Sequence, residues 1–425
     1  MEPVQIIFIL IYLLTILLSA TKIVPLSVAA MIGALLAAFF GLLPDYEVFT
    51  YNEALGFIDM RLIFLLLGVM IVVEVAERSG LFRFGALYAV KVSRGNPSVL
   101  FVSICVTSAA VSMFLSDPTA MLLIAAAMAT ITKLLRYDPV PYFISAMIMI
   151  NLGGTSTLIG SVSNMIIGLE AGISFTAFIG YLAICEAALW GITIFVLYML
   201  FKSRLGEKKE LPEYDPWESV EDKKLFYRSI LILLLMIGLF LTLDNLGVGP
   251  EAVALGCAIL ALALSGSDPA EIFKKLDWET IFFIAGFMFL VGGLGSTGIL
   301  KDLSTQLFQS VGESQLGATM ATLWFSGLAS TAVSNIAIAL TFSQIISGVA
   351  ALSSAAVWSA LVLGTNLGGA TTPLSGAVIM MGIGALKREG ISLSFTEFTK
   401  VGLITSLIQL GFASFYLIVR FNLWV

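Results

Sequence analysis

Apolar stretches long enough to cross a hydrocarbon layer of roughly 30 Å recur along the whole chain, separated by short polar pieces. They fall near 4–20, 25–43, 61–77, 139–168, 175–201, 229–243, 249–266, 277–294, 355–386 and 396–420, which predicts about ten crossings. Two further apolar pieces, near 97–133 and 311–350, are too long for one helix. Each has a polar centre: Ser116, Asp117, Pro118 and Thr119 in the first, Ser334 and Asn335 in the second. Each reads as a re-entrant hairpin, since irregular backbone at membrane depth is tolerated only against protein or a wet cavity. Two ordinary helices joined by a short loop are the plainer alternative.

The polar breaks repeat. NLGGTST at Asn151–Thr157 returns as NLGGATT at Asn366–Thr372. Asp59, Ile63, Phe64, Gly68, Met70, Val73 and Gly80 line up with Asp277, Ile281, Phe282, Gly286, Met288, Val291 and Gly298. Phe175 and Phe178 match Phe395 and Phe398, and the two hairpin tips match each other. One order and nearly one offset make this an internal duplication. The expected units are a first repeat over 1–201, a connector over 202–228 and a second repeat over 229–425. Five crossings per half invert the second copy relative to the first. The expected fold is therefore an all-α integral membrane protein. It has about ten transmembrane helices and two re-entrant hairpins, in two inverted-topology repeats with broken helices near 139–168 and 355–386.

Composition agrees with a lipid solvent. The 425 residues are 59% hydrophobic and 12% charged, where a soluble domain is about 25% charged. The start is acidic at Glu2, unlike a cleaved signal peptide, so the first apolar stretch reads as a retained helix. With the 202–228 loop in the cytoplasm, 19 of the 22 basic residues fall inside; only Arg61, Lys301 and Arg420 fall outside. Both termini are then outside, in a multi-pass plasma-membrane protein. No stretch is built for nucleic acid. Histidine is absent, which excludes histidine-dependent metal sites and triads. Cys105, Cys185 and Cys257 stand singly in apolar stretches and read as helix fillers. No catalytic, metal or cofactor site is expected, and there is no pattern of an intramembrane enzyme.

The chemistry is expected at the breaks. Paired glycines at Gly153 and Gly154, and at Gly368 and Gly369, let the backbone leave a helix without a Cβ clash. A broken helix presents unpaired N–H groups at one half and carbonyls at the other. Hydroxyls beside them, Thr155, Ser156 and Thr157 and then Thr371 and Thr372, either satisfy those groups or face a solute. With Asn151, Asn366, Ser116, Asp117, Ser334 and Asn335 they form the expected substrate site. The bland alternative is that small residues merely let helices pack closely. Asp117 is the key ionisable residue. A carboxylate at membrane depth costs at least roughly 2.5–3.5 kcal/mol unless paired or hydrated. Glu186, embedded about one third along its span, is the second candidate for a proton path, with structural pairing as the alternative. Glu74 and Glu77 beside Arg78 read as pairing at the membrane edge. Ser163 and Asn164 extend the first break without a matching pair in the second half.

On these residues the chain resembles the ion-transporter superfamily, and within it the permeases that group arsenite-efflux pumps, sodium–proton antiporters and the melanosomal P protein. The carrying pieces are Ser116–Thr119, Asn151–Gly160 with Asn164, and Ser334–Asn335. The resemblance implies ten spanning helices with two hairpins. Solute would sit between hairpin tips and broken helices and move by alternating access. Length and the lack of a long soluble domain favour the arsenite-efflux branch. Ser before Asp117 and a neutral second tip depart from the family's Asn-Asp tips, which speaks against sodium–proton exchange. The expectation is export of arsenite or antimonite by proton exchange. The alternatives are a sodium–proton antiporter and a carboxylate or inorganic-anion transporter. Expected partners are a small inorganic solute, a coupling proton or Na⁺, and the bilayer; a soluble ATPase partner and a homodimer both stay open.

Overall fold

A computed structural model describes residues 2–21, 23–115, 117–210, 215–243, 246–311, 314–349, 353–373 and 375–424. The first half holds α1 (Pro3–Thr21), α2 (Leu26–Gly41), α3 (Tyr51–Leu55), α4 (Met60–Arg78), α5 (Leu81–Ser93), α6 (Pro97–Ser112), α7 (Asp117–Leu135), α8 (Pro139–Thr155), α9 (Val162–Glu170) and α10 (Phe175–Phe201). The second repeats the order: α11 (Lys223–Leu243), α12 (Pro250–Ser265), α13 (Pro269–Phe273), α14 (Trp278–Ser296), α15 (Ile299–Val311), α16 (Gln315–Ser330), α17 (Asn335–Ser347), α18 (Ala355–Gly368), α19 (Ala377–Arg388) and α20 (Phe395–Arg420). Among the described residues, six helical stretches are long and apolar enough to cross a membrane: Pro3–Thr21, Tyr51–Arg78, Phe175–Phe201, Lys223–Leu243, Trp278–Ser296 and Phe395–Arg420. Three of the hairpin arms, α6, α7 and α17, with α2, α12 and the half-helix α18, are shorter apolar helices.

The ends of these helices explain their boundaries. Ser174 caps α10 by accepting from the Ala177 N–H at 3.0 Å, and Ser394 caps α20 by accepting from Glu397 at 3.1 Å. Asn96 and Asp138 cap α6 and α8, each followed by proline, whose missing N–H is harmless in a first helical turn. Gly80 and Gly298 both sit at φ +80°, the left-handed region that favours glycine. Each ends a span and starts an amphipathic helix, α5 or α15, that hydropathy alone does not reveal. Helix α11 begins at Lys223, so the connector is shorter than the loop expected over 202–228.

The two repeats interlock. Helix α14 packs on α2, and α12 packs on α4, so each repeat's third long helix lies against the other's second. A methyl at Gly68 of α4 would stand 2.6 Å from the Ala254 carbonyl carbon. One at Gly286 of α14 would stand 2.9 Å from that of Ala30. The hairpins instead pack on broken helices of their own half, α6 on α8 and α16 on α18. Their inner arms cross over, α17 against α9 and α7 against α19.

The inversion shows in what meets at each end. At the connector end, Tyr137 donates to the Glu207 carbonyl at 2.7 Å, and Arg204 bridges Asp138 and Glu397. This is where the first hairpin opens. At the opposite end, Ser347 closing the second hairpin donates to Glu170 at 2.8 Å, and Gln5 reaches the Thr297 carbonyl. On the connector itself, Trp217 packs against Phe84 and Phe226, tying it to α5 and α11.

Candidate functional site

Both breaks are built to one plan. Helix α8 stops at Thr155 and α9 resumes at Val162; α18 stops at Gly368 and α19 resumes at Ala377. Buried carbonyls at a helix end need donors. In the first break a single amide supplies them. Asn164, fully buried, donates from Nδ2 to the carbonyls of Gly154 at 3.0 Å, Thr155 at 3.3 Å and Thr157 at 2.7 Å. In the second break Ser375 donates to the carbonyls of Gly369 at 2.8 Å and Thr372 at 2.7 Å. Gly154 and Thr157 are the repeat counterparts of Gly369 and Thr372, so a hydroxyl does there what the amide does here.

The threonines tie each break to its hairpin. Thr157 Oγ1 donates to the Met113 carbonyl at 2.9 Å, and Thr372 Oγ1 to the Thr331 carbonyl at 2.6 Å. Gly153 and Gly368 allow the approach. A methyl on the first would fall into the Ala109 carbonyl of α6, and one on the second into the Gly327 carbonyl of α16.

Asparagines join the two breaks across the repeat axis. Asn151 Nδ2 donates to the Asn366 carbonyl at 2.7 Å. Asn366 Nδ2 donates to Asn164 Oδ1 and to the Val362 carbonyl, both at 2.8 Å, while its Oδ1 accepts from Ser163 at 3.1 Å. These groups are buried and mutually satisfied, which fixes the two broken helices as one unit.

A cavity of about 430 Å³ opens beside that unit. Its inner wall is Asn151, Gly160, Ser161, Ser334, Asn335 and Gly369, so both breaks and the second hairpin tip reach it. Its mouth lies at the connector end, among Glu74, Glu77, Lys275, Asp277 and Glu279. Lys275 pairs with Glu74 at 3.3 Å, and Asp277 caps α14 through the Thr280 N–H and hydroxyl. A second cavity of about 540 Å³ lies at the opposite end, near Asp59, Glu170 and Lys301. Helices α9 and α17 stand between the two: Met165 and Ala337 face the first cavity, Ile166 and Leu340 the second.

Helices α9, α17 and α19 all begin at the first cavity. Ser161, Ser334 and Gly376 precede them, and none of the three caps its helix with a side chain. A side-chain cap is present on α4, α6, α8, α10, α14, α16, α18 and α20, while α2, α5 and α12, which follow Pro25, Gly80 and Gly249, also lack one. Among the described residues, the positive dipole ends of three helices thus point toward one space without a cap from their own N-cap side chains.

The expected site residues divide. Asn151, Ser334, Asn335 and Gly369 line the cavity. Thr155, Thr157, Asn366, Thr371 and Thr372 stand one step behind it in backbone and side-chain bonds; Thr371 donates to Ser406 at 2.9 Å. Gly153, Gly154 and Gly368 shape the backbone. Ser156 and Glu186 meet at 3.5 Å away from the cavity. Ser116 lies outside the described residues, as does the Asp117 side chain; the Asp117 backbone starts α7. Sequence reasoning placed Asn164 near the site without its role and passed over Ser375. The signal for the latter was a lone serine beside Gly376 in an apolar span.

This architecture has known relatives. A family model described as "CitMHS: Citrate transporter" matches residues 12–364. The chain belongs to the citrate transporter family. It is a multi-pass membrane transporter, as that family and its fold imply. An uncharacterized transporter of Mycobacterium bovis is 28% identical over 93% of this chain and 94% of its own. The P protein of Mus musculus is 24% identical over 94% of this chain and 58% of its own. Among solved structures, the YdaH transporter of Alcanivorax borkumensis superposes with a TM-score of 0.66 at 14% identity, covering 98% of each chain. MtrF of Neisseria gonorrhoeae, described among antimetabolite efflux pumps, gives 0.57 at 13% identity over 98% of this chain and 97% of its own. These last two share the fold. The superfamily resemblance is thus shown; particular closeness to the arsenite-efflux branch is not.

Proposed function

We propose that this citrate-transporter-family chain is a secondary active transporter of a small carboxylate or inorganic anion, working by alternating access. One observation carries the reading: three helices, α9, α17 and α19, open uncapped N-termini onto a single cavity between the repeats. The N–H groups and positive dipole ends at helix N-termini favour an anion. The family description, a citrate transporter, points to the same class of ligand. The anion reading displaces export of arsenite or antimonite, because a neutral trihydroxy species gains little from converging dipoles.

In this reading Asn151, Ser334, Asn335 and Gly369 contact the solute, together with the expected tip residues Ser116 and Asp117. Thr155, Ser156, Thr157, Asn366, Thr371 and Thr372, with Gly153, Gly154 and Gly368, hold the breaks in shape. Asp117 takes part in coupling to a proton or Na⁺. With the connector cytoplasmic, as the basic residues favour, both termini lie outside and the cavity is open inward. The second cavity becomes the outward path when α9 and α17 move. The units 1–201 and 229–425 each give one hairpin and one broken helix to the moving part.

The test is uptake of radiolabelled citrate and succinate by the purified full-length protein in liposomes, under imposed pH or Na⁺ gradients. Saturable carboxylate flux, competed by the other anion and indifferent to arsenite, is the expected result. Arsenite flux with no anion flux overturns the proposal.

A further inference from the structure

The two breaks are also backed alike from outside, and there the symmetry fails in one informative place. Thr371, in the second break, shares a hydrogen bond with Ser406 of α20 at 2.9 Å, and Ser406 donates to the Leu367 carbonyl at 2.9 Å. The counterpart of Thr371 is Ser156, since Asn151 matches Asn366. The counterpart of Ser406 is Glu186 of α10, since Phe175 matches Phe395. Ser156 does meet Glu186, donating to Oε2 at 3.5 Å, while accepting from Trp190 Nε1 at 3.1 Å. So the same contact exists in both repeats, hydroxyl to hydroxyl in one and hydroxyl to carboxyl in the other.

Glu186 is 2% exposed, and its Oε1 is buried without a hydrogen-bond partner among the described residues. It lies eleven residues into α10, about 17 Å along a helix that rises 1.5 Å per residue, deep within the span. The elements packed on α10 bring no charge to it. On α6 the titratable group is Cys105 and on α8 it is Tyr142, which donates to the Leu205 and Pro97 carbonyls. On α20, Tyr416 and Arg420 donate to the Tyr181 and Gly180 carbonyls, while Glu397 and Lys400 sit in the first turns. The basic residues of α11 sit in its first two turns. Among the described residues, Ser156 is the hydrogen-bond partner of this carboxyl.

We propose that Glu186 is a proton-binding group that acts through Ser156 on the first break, making that break, and not its twin, sensitive to proton occupancy. The step is COO⁻ + H⁺ ⇌ COOH, with no other bond made or broken. As a neutral acid, Glu186 gains the donor that Ser406 has by nature, and its contact with Ser156 is a neutral one. As a carboxylate, it draws the Ser156 hydroxyl into a shorter charge-assisted bond. Ser156 is the C-cap of α8, and five residues on, Ser161 opens α9 into the cavity. Proton occupancy is thereby linked to the backbone that faces the solute, with Glu186 as a positioning residue.

The test is infrared difference spectroscopy of the full-length protein in liposomes, following the protonated-carboxyl stretch from about pH 5 to about pH 9. The wild type should show a band that titrates within this range. E186Q should lose it, E186D should restore a titrating band, and S156A should keep the band but shift its frequency and midpoint. A band that survives E186Q unchanged overturns the proposal, as does one that never titrates, which marks a purely structural acid. If E186Q does not fold, S156A decides: a titrating band that ignores it is not Glu186 acting on the break. No substrate is needed, so the outcome stands whether or not carboxylate flux is found.

Discussion

Replacing Asn164 by alanine isolates the logic of the first break. The side chain donates to three carbonyls and accepts from Asn366 at full burial. In the variant the Thr157 carbonyl keeps the Gly160 N–H, and Asn366 keeps Val362. The Gly154 and Thr155 carbonyls lose the donor that the side chain supplied. Leaving buried polar groups unmatched costs about 1–3 kcal/mol each, so with two carbonyls left N164A should lose about 2–6 kcal/mol. For a chain this long, roughly 1–2 °C per kcal/mol follows from the size trend of unfolding entropy, a fall of about 5 °C. S375A, which removes two carbonyl bonds from the second break, should cost about half as much. The assay is thermal unfolding in detergent with a thiol-reactive dye, for which buried Cys105, Cys185 and Cys257 are internal reporters. A melt within about 1 °C of wild type for N164A, with transport intact, would refute the claim that this amide holds the break.

Three further outcomes follow from the geometry. G153A and G368A each push a methyl into a carbonyl of the neighbouring hairpin arm; overpacking of this kind costs about 1–3 kcal/mol, and flux should fall in both variants, while G85A, with open space around its Cβ site, should transport normally. Cysteines placed at Ser334 or Asn335 should react with a membrane-impermeant thiol reagent in inside-out vesicles and not in right-side-out ones, with citrate slowing the reaction; the reverse sidedness would reject the inward-open assignment. Glu53 is held below the usual carboxylate range, first by the Thr50 N–H and then by its hydroxyl. Its contribution to α3 is therefore full above the unfolded value near about 4.3 and fades as pH falls through the lower folded value. Hydrogen exchange of the α3 amides should show that acid step in wild type and lose it in E53Q.

The repeat was legible because it rests on residues that chemistry forces to recur. Gly80 and Gly298 need a left-handed backbone, and Gly68 with Gly286 and Gly153 with Gly368 meet backbone at contact distance. Any duplicated copy has to keep them. Helices α5 and α15 were not legible, because a helix with one apolar face raises no hydropathy signal of crossing length. The site was half legible. Hydroxyl-rich breaks were foreseen, but most of those hydroxyls bind backbone: Thr157 to Met113, Thr372 to Thr331, Ser375 to Gly369. The pattern of residue types is the same for a side chain that faces a solute and one that seals a helix end. Only the neighbours across the fold, the turns of the hairpins, separate the two.

The exchange of partners between halves, α2 with α14 and α4 with α12, bears on how the chain is made. When α4 leaves the ribosome its groove at Gly68 has no occupant, for Ala254 lies roughly 190 residues ahead, about 10–40 s of synthesis. During that time the nascent half rests on lipid alone. A first half made alone would keep that groove vacant, because the backbone that fills it, at Ala254 of α12, belongs to the second half.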